Sequence, residues 1–132
     1  MTNIEITGSA PRLTQREVAA FARKVLLATG EEIGEISIAF VDDATIRGLN
    51  RKFRNKNKPT DVLTFPGENA CEIVISIDQA RRQALNEKHS LATELRYLLI
   101  HGILHGLGYD HETDKGEMNE LEVKVREKVG LE

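Results

Sequence analysis

Apolar and polar positions change period several times along this chain, and each change predicts an element. Asn3 to Thr7 reads as a short first strand. Thr14-Gln15-Arg16-Glu17 is a capping-box pattern, followed by Val18, Phe21, Ala22 and Val25 at helical spacing, and Gly30 ends that helix. Glu35 to Val41 alternates, with Ile36, Ile38 and Phe40 on one side of a strand. Asp42 or Asp43 then caps a helix whose inner face is Ile46, Leu49 and Phe53 and whose other face carries Arg47, Arg51 and Arg54. Asn55 to Pro59 is a polar loop. Asp61 to Phe65 and Cys71 to Ile77 are strands, separated by a turn containing Pro66 and Gly67. Asp78 is expected to cap a helix running to about Glu87, and Ser90 the longest apolar helix, which carries His101 and His105 and stops at Gly106 or Gly108. A last helix is expected from near Thr113 or Asp114, burying Met118, Leu121 and Val125 and ending at Gly130. Strands alternate with helices early and helices dominate late. The pattern predicts one α/β (α+β) domain over residues 1–132, with a single small mixed sheet and about five helices.

Composition narrows the class. A chain of 132 residues is long enough to bury a core without staples. Its only cysteine, Cys71, excludes an internal disulfide and fits a reducing cytoplasm. The first six residues lack a basic stretch followed by an apolar run, so no signal peptide is expected. The most apolar stretch, Tyr97 to Tyr109, is too short for a bilayer and contains two histidines, so no membrane association is expected. The net charge of −3 argues against bulk polyanion binding, but its distribution does not. Arg47, Arg51, Lys52, Arg54, Lys56 and Lys58 fall in one stretch with no acidic residue, leaving 12 basic against 21 acidic residues elsewhere. Such a strip can attract phosphate while the rest of the surface repels it; it can equally be a solvated loop.

The segment with the most chemical content is His101-Gly102-Ile103-Leu104-His105-Gly106-Leu107-Gly108-Tyr109-Asp110-His111. Histidines four apart on a helix stand one turn above each other, so both imidazoles can reach one ion. Gly108 gives the chain the freedom to leave the helix and deliver His111, and the H-x3-H-x2-G-x2-H spacing is that of the zinc helix in metzincin peptidases. The bland reading, two satisfied core or surface histidines, is weakened by the glycine and third histidine in register. Three imidazoles leave a fourth position open, as in catalytic rather than structural zinc sites. Zinc suits imidazole, and nickel, copper or cobalt would also fit. Cys71 could close the site, but it lies on a strand with Ile73, Ile75 and Ile77 that looks buried, and nothing nearby would lower its pKa for nucleophilic work. His89, in the polar Lys88-His89-Ser90 junction, is expected to be simply exposed.

The departure from the peptidase motif is informative. Where H-E-x-x-H has its general base, this chain has Gly102. Amide hydrolysis needs that base, whereas phosphodiester cleavage can rely on a metal-acidified water together with positive charge on the phosphoryl oxygens. The basic strip supplies candidates for that charge.

At these residues the chain resembles the YbeY family of bacterial rRNA-maturation endoribonucleases over essentially its whole length. Two stretches carry the resemblance: Phe53-Arg54-Asn55-Lys56-Asn57-Lys58-Pro59-Thr60-Asp61-Val62-Leu63-Thr64-Phe65-Pro66, and the three-histidine segment ending Gly108-Tyr109-Asp110-His111. It implies a metal-dependent endoribonuclease specific for single-stranded RNA, acting in ribosome assembly and quality control, including maturation of the small-subunit rRNA 3′ end. It further implies one Zn2+ held by His101, His105 and His111, a functional arginine at Arg54, and partners among ribosomal proteins and an assembly GTPase. Some positions depart from the family pattern. Cys71-Glu72 stands where Gly-Asp is usual, Gly106 replaces a leucine and Thr64 a serine.

On this reading Arg54 clamps the scissile phosphate, though an arginine near a helix C-terminus can also be plain surface. Asp110 either orients a ligand histidine or forms an Asx turn before His111. The rival readings are a metallohydrolase of another class, peptidase or small-phosphoester enzyme, and a non-catalytic assembly factor with a structural metal.

Overall fold

Local signals in the chain set most of the element boundaries. In this computed structural model, which describes residues 1–109 and 115–131, the order is β1 (Asn3–Thr7), α1 (Gln15–Thr29), β2 (Glu35–Val41), α2 (Asp43–Arg54), β3 (Val62–Gly67), β4 (Ala70–Ser76), α3 (Ile77–Glu87), α4 (Leu91–Gly106) and α5 (Glu117–Lys128). Thr14 closes the capping box of α1: its Oγ1 accepts from Glu17 N at 3.1 Å, while Glu17 Oε1 accepts from Thr14 N at 3.0 Å. Gly30, at φ 72°, ends that helix. Asp42 caps α2, its Oδ1 accepting from Thr45 N at 2.9 Å, and Ser90 caps α4, its Oγ accepting from Thr93 N at 3.1 Å. The expected α/β fold with one mixed sheet and five helices is present among the described residues.

The sheet order is β1-β2-β4-β3; β1 and β4 run parallel to β2, and β3 pairs antiparallel with β4 at the edge. Ile36, Ile38 and Phe40 stand in register with Cys71, Ile73 and Ile75, making one apolar face. That face packs with α1, α4 and α5 in the main core, where Val18, Val25, Leu95, Leu99, Ile103, Leu104, Met118 and Val125 are fully buried. On the opposite face α2 packs through Ile46 against Leu63 and Val74.

Several boundaries differ from the pattern-based expectation. Pro66 and Gly67 belong to β3, and the turn falls on Glu68-Asn69, with Asn69 at φ 55°. An edge strand pairs on one side only, so a residue without an N–H is tolerated there. Ile77 opens α3 instead of closing β4, and the cap is Ser76, whose Oγ accepts from Gln79 N at 3.2 Å; Asp78 instead accepts from Asp43 N at 2.9 Å, joining the starts of α2 and α3. Phe53, expected on the inner face of α2, is 53% exposed, whereas Asn50 is buried and donates to Lys58 O at 2.9 Å. Beyond Phe65 this sheet face carries Ser37 and Glu72, which offer no apolar surface for the last turn of α2 to bury. Leu121 is only half-buried. The expected α5 start near Thr113 or Asp114 lies outside the described residues.

Candidate functional site

Helix α4 supplies the first two candidate ligands. Its end is a Schellman turn: Tyr109 N bonds Leu104 O at 3.0 Å, Gly108 N bonds His105 O at 3.0 Å, and Gly108 sits at φ 105°. The turn directs the chain away from the helix immediately after the histidines. Nε2 of His101 and Nε2 of His105 approach to 3.1 Å, with ring centroids 4.6 Å apart. Two nitrogens each about 2.0–2.1 Å from one tetrahedral ion lie roughly 3.3 Å apart, so this pair has the spacing of two ligands to a single metal. Asp110 and His111 lie outside the described residues, and among the described residues no three His, Cys, Asp or Glu side chains form a metal-sized cluster.

A residue that sequence reasoning missed supports the pair from α5. Glu122 Oε1 stands 2.8 Å from His101 Nδ1, and its side chain is only 12% exposed. A carboxylate there makes Nδ1–H the donor, which leaves Nε2 with its lone pair toward His105, as in carboxylate–histidine–metal arrangements. Arg126 Nη2 lies 3.4 Å from the other oxygen of Glu122, and its guanidinium rests 4.5 Å from the Tyr97 ring centroid. The missed signal was an acidic residue in the buried register of α5, one turn after Met118 and three residues before Val125.

The two helix glycines have separate packing reasons. A Cβ on Gly102 would lie 2.8 Å from Ile73 Cγ2, so this position faces β4 and has no room for the glutamate of a peptidase motif. A Cβ on Gly106 would lie 2.5 Å from Cys71 Sγ and 3.0 Å from Cys71 Cβ. The two residues therefore fit each other: the cysteine takes the space that the glycine leaves. Cys71 is buried, and burial chiefly, with a contribution from Glu72, pushes its thiol up to about 11. It is a packing residue, neither ligand-like nor nucleophilic.

Arg54, the last residue of α2, donates from Nη2 to Thr64 O at 2.7 Å, and its Cζ lies 5.2 Å from the Phe65 ring centroid. Thr64 Oγ1 in turn donates to Gly102 O at 3.3 Å. Thr64, also missed as a functional residue, thus joins Arg54 to the turn of α4 between the two histidines. The rest of the basic strip is exposed; Arg47 Nε donates to Asn57 Oδ1 at 3.0 Å, which braces the loop after α2. His89 corrects the expectation of simple exposure. It is half-buried, with Nε2 2.6 Å from Oε1 of buried Glu94 and its ring 5.3 Å from that of Tyr97, because the tight α3–α4 junction folds it onto the start of α4.

Comparison with known proteins places this chain in a family. A family profile described as "Endoribonuclease YbeY" matches residues 3–130. The chain is 43% identical over 123 residues to an Endoribonuclease YbeY of Koribacter versatilis (strain Ellin345), covering 90% of this chain and 80% of that protein. It is 48% identical over 102 residues to one from Nautilia profundicola, covering 74% of this chain and 73% of that protein. A solution structure of a Thermotoga maritima protein aligns with a TM-score of 0.68 at 32% identity, covering 96% of this chain and 88% of that one. With the profile spanning nearly the whole chain and relatives at 43% and 48% identity, this chain belongs to the Endoribonuclease YbeY family.

Proposed function

We propose that the protein is a metal-dependent endoribonuclease that cuts single-stranded RNA, with one zinc ion held by His101, His105 and His111 and with Arg54 on the scissile phosphate. The observation that carries this reading is the 3.1 Å approach of the two imidazole Nε2 atoms, backed by Glu122 behind His101. The turn at Gly108 supports a third ligand from the segment that follows. Zinc, when bound, supplies Lewis-acid charge and lowers the pKa of water toward about 7. Glu122 holds His101 in the tautomer that presents Nε2. Arg54 carries five N–H donors in a fixed plane; the bond to Thr64 O orients that plane, and the remaining donors suit the nonbridging oxygens as they gain charge. Gly102, packed on Ile73, argues against the peptidase alternative.

The profile match over residues 3–130 supports reading residues 1–132 as one endoribonuclease domain. The resemblance supports a cytoplasmic role in ribosome assembly, including maturation of the small-subunit rRNA 3′ end, beside a ribosomal protein and an assembly GTPase. No helix among the described residues is long and apolar enough to cross a membrane. Purified protein should cleave single-stranded RNA, lose that activity with a chelator, and leave casein intact. Chelator-sensitive casein cleavage without RNA cleavage would overturn the assignment.

A further inference from the structure

Among the described residues, Phe53 is the one aromatic among the exposed large apolar side chains, and it is held in place. Its ring meets Phe65 edge to face, with centroids 5.3 Å apart at 70°. Each of the two rings has a cation beside it: Lys52 Nζ is 5.2 Å from the Phe53 centroid, and Arg54 Cζ is 5.2 Å from that of Phe65. Together Phe53 and Phe65 line a groove on the sheet face that α2 leaves uncovered, with Glu72 beside Phe65 and with Ser37 and Glu35 beyond it on β2. An exposed, pre-positioned aromatic flanked by cations is the arrangement with which proteins stack unpaired bases while tracking the backbone electrostatically.

We propose that Phe53 is a stacking platform for an unpaired nucleobase of the RNA substrate, next to the phosphate held by Arg54. This rests on the endoribonuclease reading and deepens it, since it gives the preference for single strands a structural origin. The charges orient the strand. Arg51, Lys52, Arg54, Lys56 and Lys58 form an exposed ridge without an acidic residue, suited to the phosphates. Glu35 and Glu72 repel phosphate and can accept from base amino groups, so the base enters the groove while the backbone stays on the ridge. A base inside a duplex is stacked on both faces and has none to offer Phe53. The Arg54 guanidinium lies 5.2 Å from the Phe65 ring centroid, and that ring meets Phe53, so a base seated here belongs to a nucleotide close to the clamped phosphate.

The test uses the zinc-loaded full chain and a labelled, fully 2′-O-methylated single strand, with a blunt hairpin of the same length, closed by an ethylene-glycol linker so that no base is unpaired, as the duplex control. Phe53→Ala and Phe53→Leu should weaken single-strand binding by about 5- to 100-fold, the range for losing one base–aromatic stack, while hairpin binding stays as in the parent. Phe53→Trp should retain or tighten single-strand binding. In cleavage assays Phe53→Leu should raise KM and leave kcat nearly unchanged, as for lost uniform binding. Phe53→Leu keeps an apolar contact with Phe65, and its melting curve checks folding. Unchanged single-strand affinity in Phe53→Leu, with cleavage intact, would overturn the platform alone. Equal losses for strand and hairpin would also overturn it, as would a dimer that Phe53→Ala disperses at unchanged affinity per chain. A parent protein that neither binds nor cuts RNA would overturn both this proposal and the endoribonuclease reading.

Discussion

Gly106 and Cys71 lie against each other where α4 packs on β4, and each sets the room that the other has. Alanine at 106 gains helix propensity, about 1 kcal/mol over glycine, but its Cβ would lie 2.5 Å from the sulfur of buried Cys71. Gly106→Ala alone should therefore destabilise the fold by roughly 1–2 kcal/mol, the usual scale for overpacking. In a Cys71→Gly background the same change should be neutral or stabilising, because the obstructing side chain is gone. Denaturant melts of the four proteins in this cycle measure the coupling directly. Equal effects of Gly106→Ala in both backgrounds would show that the two residues vary independently. Gly102 has a different neighbour, Ile73, so its requirement for glycine does not depend on Cys71.

Between elements, the decisive contact is the one that α5 makes with α4. His101 and His105 are brought together by helical spacing alone, but the direction in which His101 presents its nitrogens is set by Glu122, 21 residues away. Glu122→Gln keeps the shape but weakens the acceptor, and should lower metal affinity about 10- to 100-fold, the typical effect of losing such a supporting carboxylate. His101→Ala, His105→Ala and His111→Ala should each sharply lower metal content, since three ligands leave little redundancy. Competition against a chromophoric chelator reads the first, and elemental analysis the others. Near-stoichiometric zinc in any histidine variant would remove that residue from the site, and parent-like affinity in Glu122→Gln would leave its carboxylate a packing role with Arg126. The second inter-element link runs from α2 through β3 to α4: Arg54 holds Thr64, and Thr64 holds Gly102. The arginine is thereby fixed relative to the helix that carries the histidines.

At the scale of the whole molecule, an acidic body presents one basic ridge, and within that ridge Arg54 is distinguished by its anchoring. Arg54→Ala should reduce RNA cleavage by about 10²–10³-fold, the range for one preorganised donor, with metal content unchanged. Arg54→Lys should rescue only partly, because ammonium keeps the charge and loses the planar fork. Lys56→Ala and Lys58→Ala should weaken RNA binding modestly and flatten its salt dependence, as peripheral phosphate contacts do. Equal activity losses in all three alanine variants, erased by high salt, would make the strip a landing surface without a special arginine. The histidine spacing, the caps at Thr14 and Ser90, the α2 cap to one of Asp42 and Asp43, the α4 stop to one of Gly106 and Gly108, and the alternation of β2 were legible in the chain, because each depends on neighbours within a turn or a strand. The start of α3, the path of Pro66 and Gly67, and the exposure of Phe53 were not, because each depends on which strand is an edge and on what the opposing surface offers. The same holds for the site. Its histidine pair was determined by the sequence itself, through the 3.6-residue period of a helix. That Glu122 meets His101, that Thr64 stands between Arg54 and Gly102, and that Cys71 fits beneath Gly106 was decided only by tertiary packing, since these residues come together through strand order and helix crossing, which no local spacing encodes.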